Sequence, residues 1–178
     1  MKTDNKSIFG NLNVETRWYA IHTRSRHEKR VDARLQEKGI ISFLPLNVVY
    51  RKWSDRYKKV EMPLFSGYVF VKICLKDRLP VLQTDGVVSL VSFNGIPAPI
   101  PDDQIGALQK VLDKQPSVSL ADYYTPGTRV RVTQGPLRDI EGTLVHVKND
   151  SRLILSIDGI QQAISLEIDP RDLEVISV

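Results

Sequence analysis

The sequence predicts an α+β fold in two parts: an antiparallel sheet with flanking helices, then a small all-β barrel. Three observations predict it. From Arg17 to Lys114, aromatic and β-branched runs alternate with amphipathic segments at helical spacing, an order that packs helices onto hairpin-joined strands. From Gly127 to Val178 there are only short β-branched runs cut by Gly, Pro, Asn and Asp, the pattern of a small barrel or sandwich. Between them, residues 115–126 carry Pro116, serines and Pro126, as a linker does. The expected organisation is a polar, disordered tail at 1–16, an N-terminal domain at 17–114, a flexible linker at 115–126 and a C-terminal domain at 127–178.

Each element has its local reason. Arg17 to Thr23 has strand composition. Arg26 to Lys38 reads as a helix capped by Ser25 and stopped by Gly39, with Val31 and Leu35 on its inner face. Ile40 to Trp53 is a strand in which Pro45 demands an edge or a bulge. Ser54-Asp55 is a hairpin tip, and the chain returns through Tyr57 to Leu64. Gly67 opens the apolar strand Tyr68 to Ile73, and Asp77 to Thr84 forms a short helix. Val87 to Phe93 is a strand ended by Asn94-Gly95, a strong hairpin signal. After Pro101, Ile105, Leu108, Val111 and Leu112 recur at helical spacing. The later strands are Arg129 to Thr133, Gly142 to Lys148, Leu153 to Ile157 and Ala163 to Leu166.

Composition excludes several classes. No apolar run approaches the roughly 18 residues that span a bilayer, and the first sixteen residues lack a signal peptide's apolar stretch. One cysteine, Cys74, rules out an internal disulfide and a thiolate metal cluster. A cytoplasmic protein without a membrane partner is expected. His22, His27 and His146 lack metal-ligand spacing, and no nucleophile, zinc or phosphate-loop motif occurs, so no cofactor and no catalysis are expected.

The charge is unevenly placed. Between Arg17 and Lys59 lie twelve basic and four acidic residues, a local +8 in a chain of net +4, so the remainder is −4. Such a field suits a polyanion held against one part of the molecule; a solvated surface is the competing reading. Arg26, Arg30, Arg34 and Lys38 recur every four residues on the first helix, with Arg24 before it, forming a stripe that can follow phosphates. An outer face helped by Asp32 and Glu37 explains the same spacing. Arg51-Lys52-Trp53 and Arg56-Tyr57-Lys58-Lys59 interleave cations with rings beside the hairpin tip. That mixture fits phosphates and unpaired bases, or an edge hairpin protected by lysines. Tyr68 and Phe70 are two apart on a strand and share a face, with Phe65 and Phe93 nearby in sequence. They form either a docking patch or the second buried face of the sheet.

Two motifs carry a resemblance. Val130-Arg131-Val132-Thr133-Gln134-Gly135-Pro136, continuing through Glu141-Gly142-Thr143-Leu144-Val145, resembles a KOW motif, in which a Gly-Pro turn is followed by a glycine entering the next strand. Trp18-Tyr19-Ala20, His27-Glu28-Lys29-Arg30-Val31 and Pro63-Leu64-Phe65-Ser66-Gly67-Tyr68-Val69-Phe70-Val71 resemble the N-terminal (NGN) domain of NusG transcription elongation factors. The match runs from Arg17 to Val178 in family order. Phe43 to Leu46, Pro63-Leu64-Phe65 and Pro97 to Pro101 look most like the specialised antiterminators of the UpxY and RfaH type.

The resemblance implies an NGN domain joined to an SH3-like KOW barrel, acting as a monomer on RNA polymerase. It implies docking on the polymerase β′ clamp helices through His22, Phe65, Tyr68, Phe70, Phe93, Ile105 and Leu108. It places Arg24, Arg30 and Arg34 near the DNA of the transcription bubble; Arg26 and the hairpin residues Lys52, Trp53 and Arg56 complete the expected DNA-binding set. Gly135, Pro136 and Gly142 form the KOW turn. Two departures matter. The family's Ile-Phe-Gly-Arg loop, which contacts Rho and a ribosomal protein, is matched by Ile157-Asp158-Gly159-Ile160, and RfaH's His-Thr-Thr element has no counterpart around Asp77, Arg78 and Leu79. A general NusG and a KOW protein of RNA or the ribosome are the alternative readings. RfaH holds its C-terminal domain as a helical hairpin until it is recruited. Here Thr133, Val145, Val147, Ile154 and Ile157 are β-branched, and Gly135-Pro136 and Gly142 would break a helix, so β structure is expected throughout.

Overall fold

The computed structural model describes residues 14–53, 56–115, 117–121, 127–147 and 150–176. They form two compact units whose chain paths interleave: residues 1–44 with 65–102, and residues 45–64 with 103–178. Among the described residues no helix is long and apolar enough to cross a membrane.

The first unit is built on β1 (Arg17–Thr23), β2 (Ile41–Phe43), β5 (Tyr68–Ile73), β6 (Val87–Leu90) and β9 (Pro99–Ile100). All pairings are antiparallel, in the order β2-β5-β1-β6, with β9 added to β1. Tyr19 and Ile21 of β1 and Val69, Val71 and Ile73 of β5 point to one face. Val31 and Leu35 of helix α1 (Glu28–Glu37) and Val81 of the short helix α2 (Leu79–Leu82) close that face, as the four-residue spacing required. Asn94-Gly95 makes the expected turn, between β7 (Ser92–Phe93) and β8 (Ile96–Pro97): both have positive φ, 51° and 78°, and Phe93 pairs with Ile96 across it.

The second unit holds a long hairpin, β3 (Leu46–Trp53) with β4 (Arg56–Pro63), and helix α3 (Asp102–Lys114), whose residues from Asp103 onward belong here. Its sheet comprises β10 (Ser119–Ala121), β11 (Thr128–Val132), β12 (Glu141–Val147), β13 (Asp150–Ile157), β14 (Gln162–Glu167) and β15 (Leu173–Val175). These run antiparallel in the order β10-β14-β13-β12-β11-β15. Side-chain hydrogen bonds run within this unit. Asn47 at the hairpin root donates to the Val118 carbonyl at 3.0 Å and accepts from the Val118 N–H at 3.1 Å. Gln104 of α3 donates to Asp158 at 2.8 Å and accepts from its backbone N–H at 3.0 Å.

Four local expectations need revision. Helix α1 starts at Glu28, because Arg26 takes the left-handed conformation (φ 62°) and breaks the run. His27, not Ser25, is the capping residue, and no side chain caps it. The strand expected from Ile40 to Trp53 is divided at Leu44-Pro45, where the Pro45 carbonyl accepts the Leu64 N–H at 2.8 Å and closes the hairpin root. Within the expected linker, Ser119–Ala121 pairs with β14 and extends the sheet. Residues 116 and 122–126, the tip residues 54–55 and residues 1–13 of the expected tail lie outside the described residues. Val14, in the expected tail, is held: its carbonyl accepts a hydrogen bond from the Cys74 thiol at 3.3 Å.

Candidate functional site

Apart from Tyr19, the aromatic side chains of β1 and β5 lie on the second face of the first sheet. Cross-strand pairs place Trp18 beside Lys72, Ala20 beside Phe70 and His22 beside Tyr68. The His22 and Tyr68 rings lie 4.7 Å apart, and the Lys72 ammonium stands 5.8 Å from the Trp18 ring centre. Phe70 has no exposed surface: Phe43 stacks on it at 6.1 Å and Phe65 meets it edge-on at 6.3 Å. The expected docking residues therefore divide. Phe65, Phe70, Ile105 and Leu108 are buried and pack the chain, whereas His22 and Tyr68 are half-buried and Phe93 is 46% exposed. For Phe70 the sequence allowed a patch or a buried second face, and it lies in the buried face.

The basic stripe is only partly available. Arg24, Arg26 and Arg30 are exposed and Arg34 is half-buried. Arg34 donates to the Asp85 carbonyl at 3.0 Å and to its carboxylate, while Arg24 pairs with the same carboxylate at 3.7 Å. The Arg34 hydrogen bond and charge, helped by Arg24, hold the Asp85 carboxyl below the usual carboxylate range. Lys38 donates to Thr84 at 2.8 Å and to the Pro80 carbonyl at 3.1 Å. Among the described residues, no ion pair engages Arg26 or Arg30. Asp85 was invisible to a reading by helical period, because it meets Arg34 across 51 residues of sequence. Glu28 was also missed as an anchor. It is buried and accepts the Gly67 N–H at 2.8 Å, tying the start of α1 to the turn before β5.

On the hairpin, Lys52, Trp53 and Arg56 are all exposed. Trp53 pairs with Arg56 across the ribbon, and the Lys58 ammonium lies 5.1 Å from the Trp53 ring centre. In the small sheet, Gly135 (φ 77°) and Pro136 are exposed at the turn after β11. Gly142 is buried; a Cβ there would stand 2.6 Å from the Ile154 carbonyl oxygen, so the close approach of β12 to β13 requires glycine. Past β13, Asp158 is engaged by Gln104, and Gly159 and Ile160 are buried.

Comparison with known proteins places these features in a family. Residues 16–109 match the family model described as "Transcription termination factor nusG". The chain belongs to the NusG family. It is 30% identical over 176 residues to the transcription termination/antitermination protein NusG of Escherichia coli K12, covering 89% of this chain and 95% of that one. The NusG of Thermus thermophilus is 26% identical over 173 residues, covering 84% and 94%. Among solved structures, one described as domain interaction in Thermotoga maritima NusG is similar at a TM-score of 0.51 and 20% identity, covering 93% of this chain. That likeness shows a NusG-type α+β fold with a C-terminal all-β part. NusG relatives thus match both the helix-covered sheet and the six-stranded sheet, and the chain is a NusG-like transcription factor.

Proposed function

We propose that this protein is a transcription elongation and antitermination factor that bridges RNA polymerase and DNA and catalyses no reaction. The observation that carries this reading is the juxtaposition, in a NusG-family chain, of half-buried aromatic residues on a sheet with exposed cations at the neighbouring helix start. His22 and Tyr68 lie at the end of the β1–β5 pairing from which the chain runs into Arg24, Arg26 and α1. His22, Tyr68 and Phe93 are the side chains through which the β′ clamp helices are engaged, with Phe65 and Phe70 supporting them from below. Arg24, Arg26, Arg30 and Arg34, with Lys52, Trp53 and Arg56 of the hairpin, hold DNA of the open bubble. Tying clamp to DNA opposes the rearrangements of pausing, and binding energy that differs between paused and active polymerase suffices.

Residues 17–114 and 127–178 act as NGN and KOW domains in a cytoplasmic monomer. The chain serves selected operons, as the specialised antiterminators do; the loop at Asp158, unlike the family's Ile-Phe-Gly-Arg, disfavours the Rho and ribosomal-protein partnerships of a general NusG. The test is capture of the full chain by an isolated β′ clamp-helix fragment and, separately, crosslinking to bubble DNA in an elongation complex. Tyr68→Ala with Phe93→Ala should reduce capture at least tenfold, on the order of 1.4 kcal/mol or more. Arg26→Ala with Arg30→Ala should spare capture, reduce crosslinking and flatten its salt dependence. Unchanged capture by the aromatic pair refutes the docking surface; unchanged crosslinking by the arginine pair makes the stripe a solvated face.

A further inference from the structure

The outer half of the β3–β4 hairpin is exposed on both faces, and the two faces differ. The register pairs Tyr50 with Lys59 and Lys52 with Tyr57, which sets these four side chains on one face in a checkerboard of rings and ammonium groups. Tyr50 and Tyr57 are 68% and 71% exposed. The opposite face carries Arg51 with Lys58 and Trp53 with Arg56. There the cations are partly committed: Lys58 lies over the Trp53 ring, and Arg51 reaches the Met62 sulfur at 3.3 Å. On the tyrosine face, among the described residues, no ion pair holds Lys52 or Lys59 and no ring or cation covers Tyr50 or Tyr57. Between Tyr50 and Lys59 the sequence has one acidic residue, Asp55 at the tip, so this surface is strongly cationic.

Spacing selects the ligand. Successive pairs on one face of a ribbon repeat every two residues, about 6.7 Å. A stacked nucleic-acid strand rises about 3.4 Å per nucleotide, so a ring inserted beside each base stretches it to about 6.8 Å. Ring and cation alternate along each strand at about this step, and the two rings, diagonal to one another and about 7–8 Å apart, match an extended strand whose bases are free to take a ring. A duplex offers no such open faces, because its bases already stack on one another.

We propose that the face formed by Tyr50, Lys59, Lys52 and Tyr57 is a platform for single-stranded DNA, the two rings stacking on unpaired bases and the two ammonium groups meeting the intervening phosphates. It rests on the preceding reading only in naming DNA, the strand exposed in an open bubble, as the ligand. The platform is distinct from the arginine stripe and includes three residues, Tyr50, Tyr57 and Lys59, outside the expected DNA-binding set.

Fluorescence anisotropy of the full chain tests it with a labelled thymidine strand of about twelve nucleotides, the matching duplex and the matching uridine RNA. Single-stranded DNA should bind tightest. Tyr50→Ala with Tyr57→Ala should weaken it at least about fivefold per ring with little change in salt slope, and Tyr50→Phe with Tyr57→Phe should recover the loss. Lys52→Ala with Lys59→Ala should instead lower the slope of log affinity against log salt by about 0.7 per lysine. All four side chains are exposed, so a parental melting curve in each variant separates binding from folding. Duplex or RNA bound as tightly as the DNA strand, or an alanine pair that binds like the parent, overturns the proposal. No polymerase is present, so failure here leaves clamp docking standing, and loss of clamp docking leaves this result intact.

Discussion

Replacing Phe70 by alanine distinguishes a core position from a docking position. Its ring is fully buried between the Phe43 ring at 6.1 Å and the Phe65 edge at 6.3 Å, on the middle strand pair of the first sheet. Truncating a buried phenylalanine costs about 3–5 kcal/mol, and each lost aromatic contact accounts for about 0.5–1.5 kcal/mol of that. Against a domain stability of about 5–15 kcal/mol this leaves the first unit marginal. At about 4–8 °C per kcal/mol for a unit of this size, Phe70→Ala should lower its melting temperature by at least about 12 °C. Tyr68→Ala, which loses mainly the half-exposed ring pairing with His22, should cost less than about 1.5 kcal/mol. Thermal unfolding followed by near-ultraviolet circular dichroism measures both. Any loss of polymerase capture by Phe70→Ala is then an effect of unfolding, whereas the same loss in Tyr68→Ala reports a contact. A Phe70→Ala protein that melts within about 2 °C of the parent would refute the burial argument and return Phe70 to the surface.

Two further outcomes follow from the second unit. Gly142→Ala sets a methyl group against the Ile154 carbonyl and the Leu153 side chain, and should cost about 1–3 kcal/mol in urea unfolding, with an unchanged denaturation midpoint refuting the close approach. The Asp169 carboxyl, which accepts from the Arg171 side chain and backbone, is lowered from 3.8 to about 2. A depressed carboxylate contributes stability that is present above its unfolded pKa and lost as pH falls through the folded value, so the Pro170–Asp172 turn should loosen between about pH 4 and pH 2. An NMR titration of Asp169 with a midpoint near 4 would contradict this.

By itself the sequence determined many of the elements and the inner face of the first helix. Tyr68 to Ile73, the helical pair Val31 and Leu35, the Asn94-Gly95 turn and the all-β C-terminal part follow from residue period, β-branching and turn chemistry, which act within a few residues. The candidate site was legible as chemistry: aromatic residues two apart, arginines four apart, and cations interleaved with rings. Only tertiary structure decided which of these groups are available. Phe70 and Tyr68 share a strand face, yet burial separates them, because Phe43 and Phe65 arrive from other segments to cover one ring only. Arg34 and Arg30 share a stripe, yet Asp85 reaches the first and not the second. The hairpin's Tyr50 gains its lysine partner from the opposite strand, since register, not sequence distance, sets which side chains are neighbours. Local period fixes where a side chain points, while what meets it there is supplied by chain segments tens of residues away, and that contact lies beyond any local pattern.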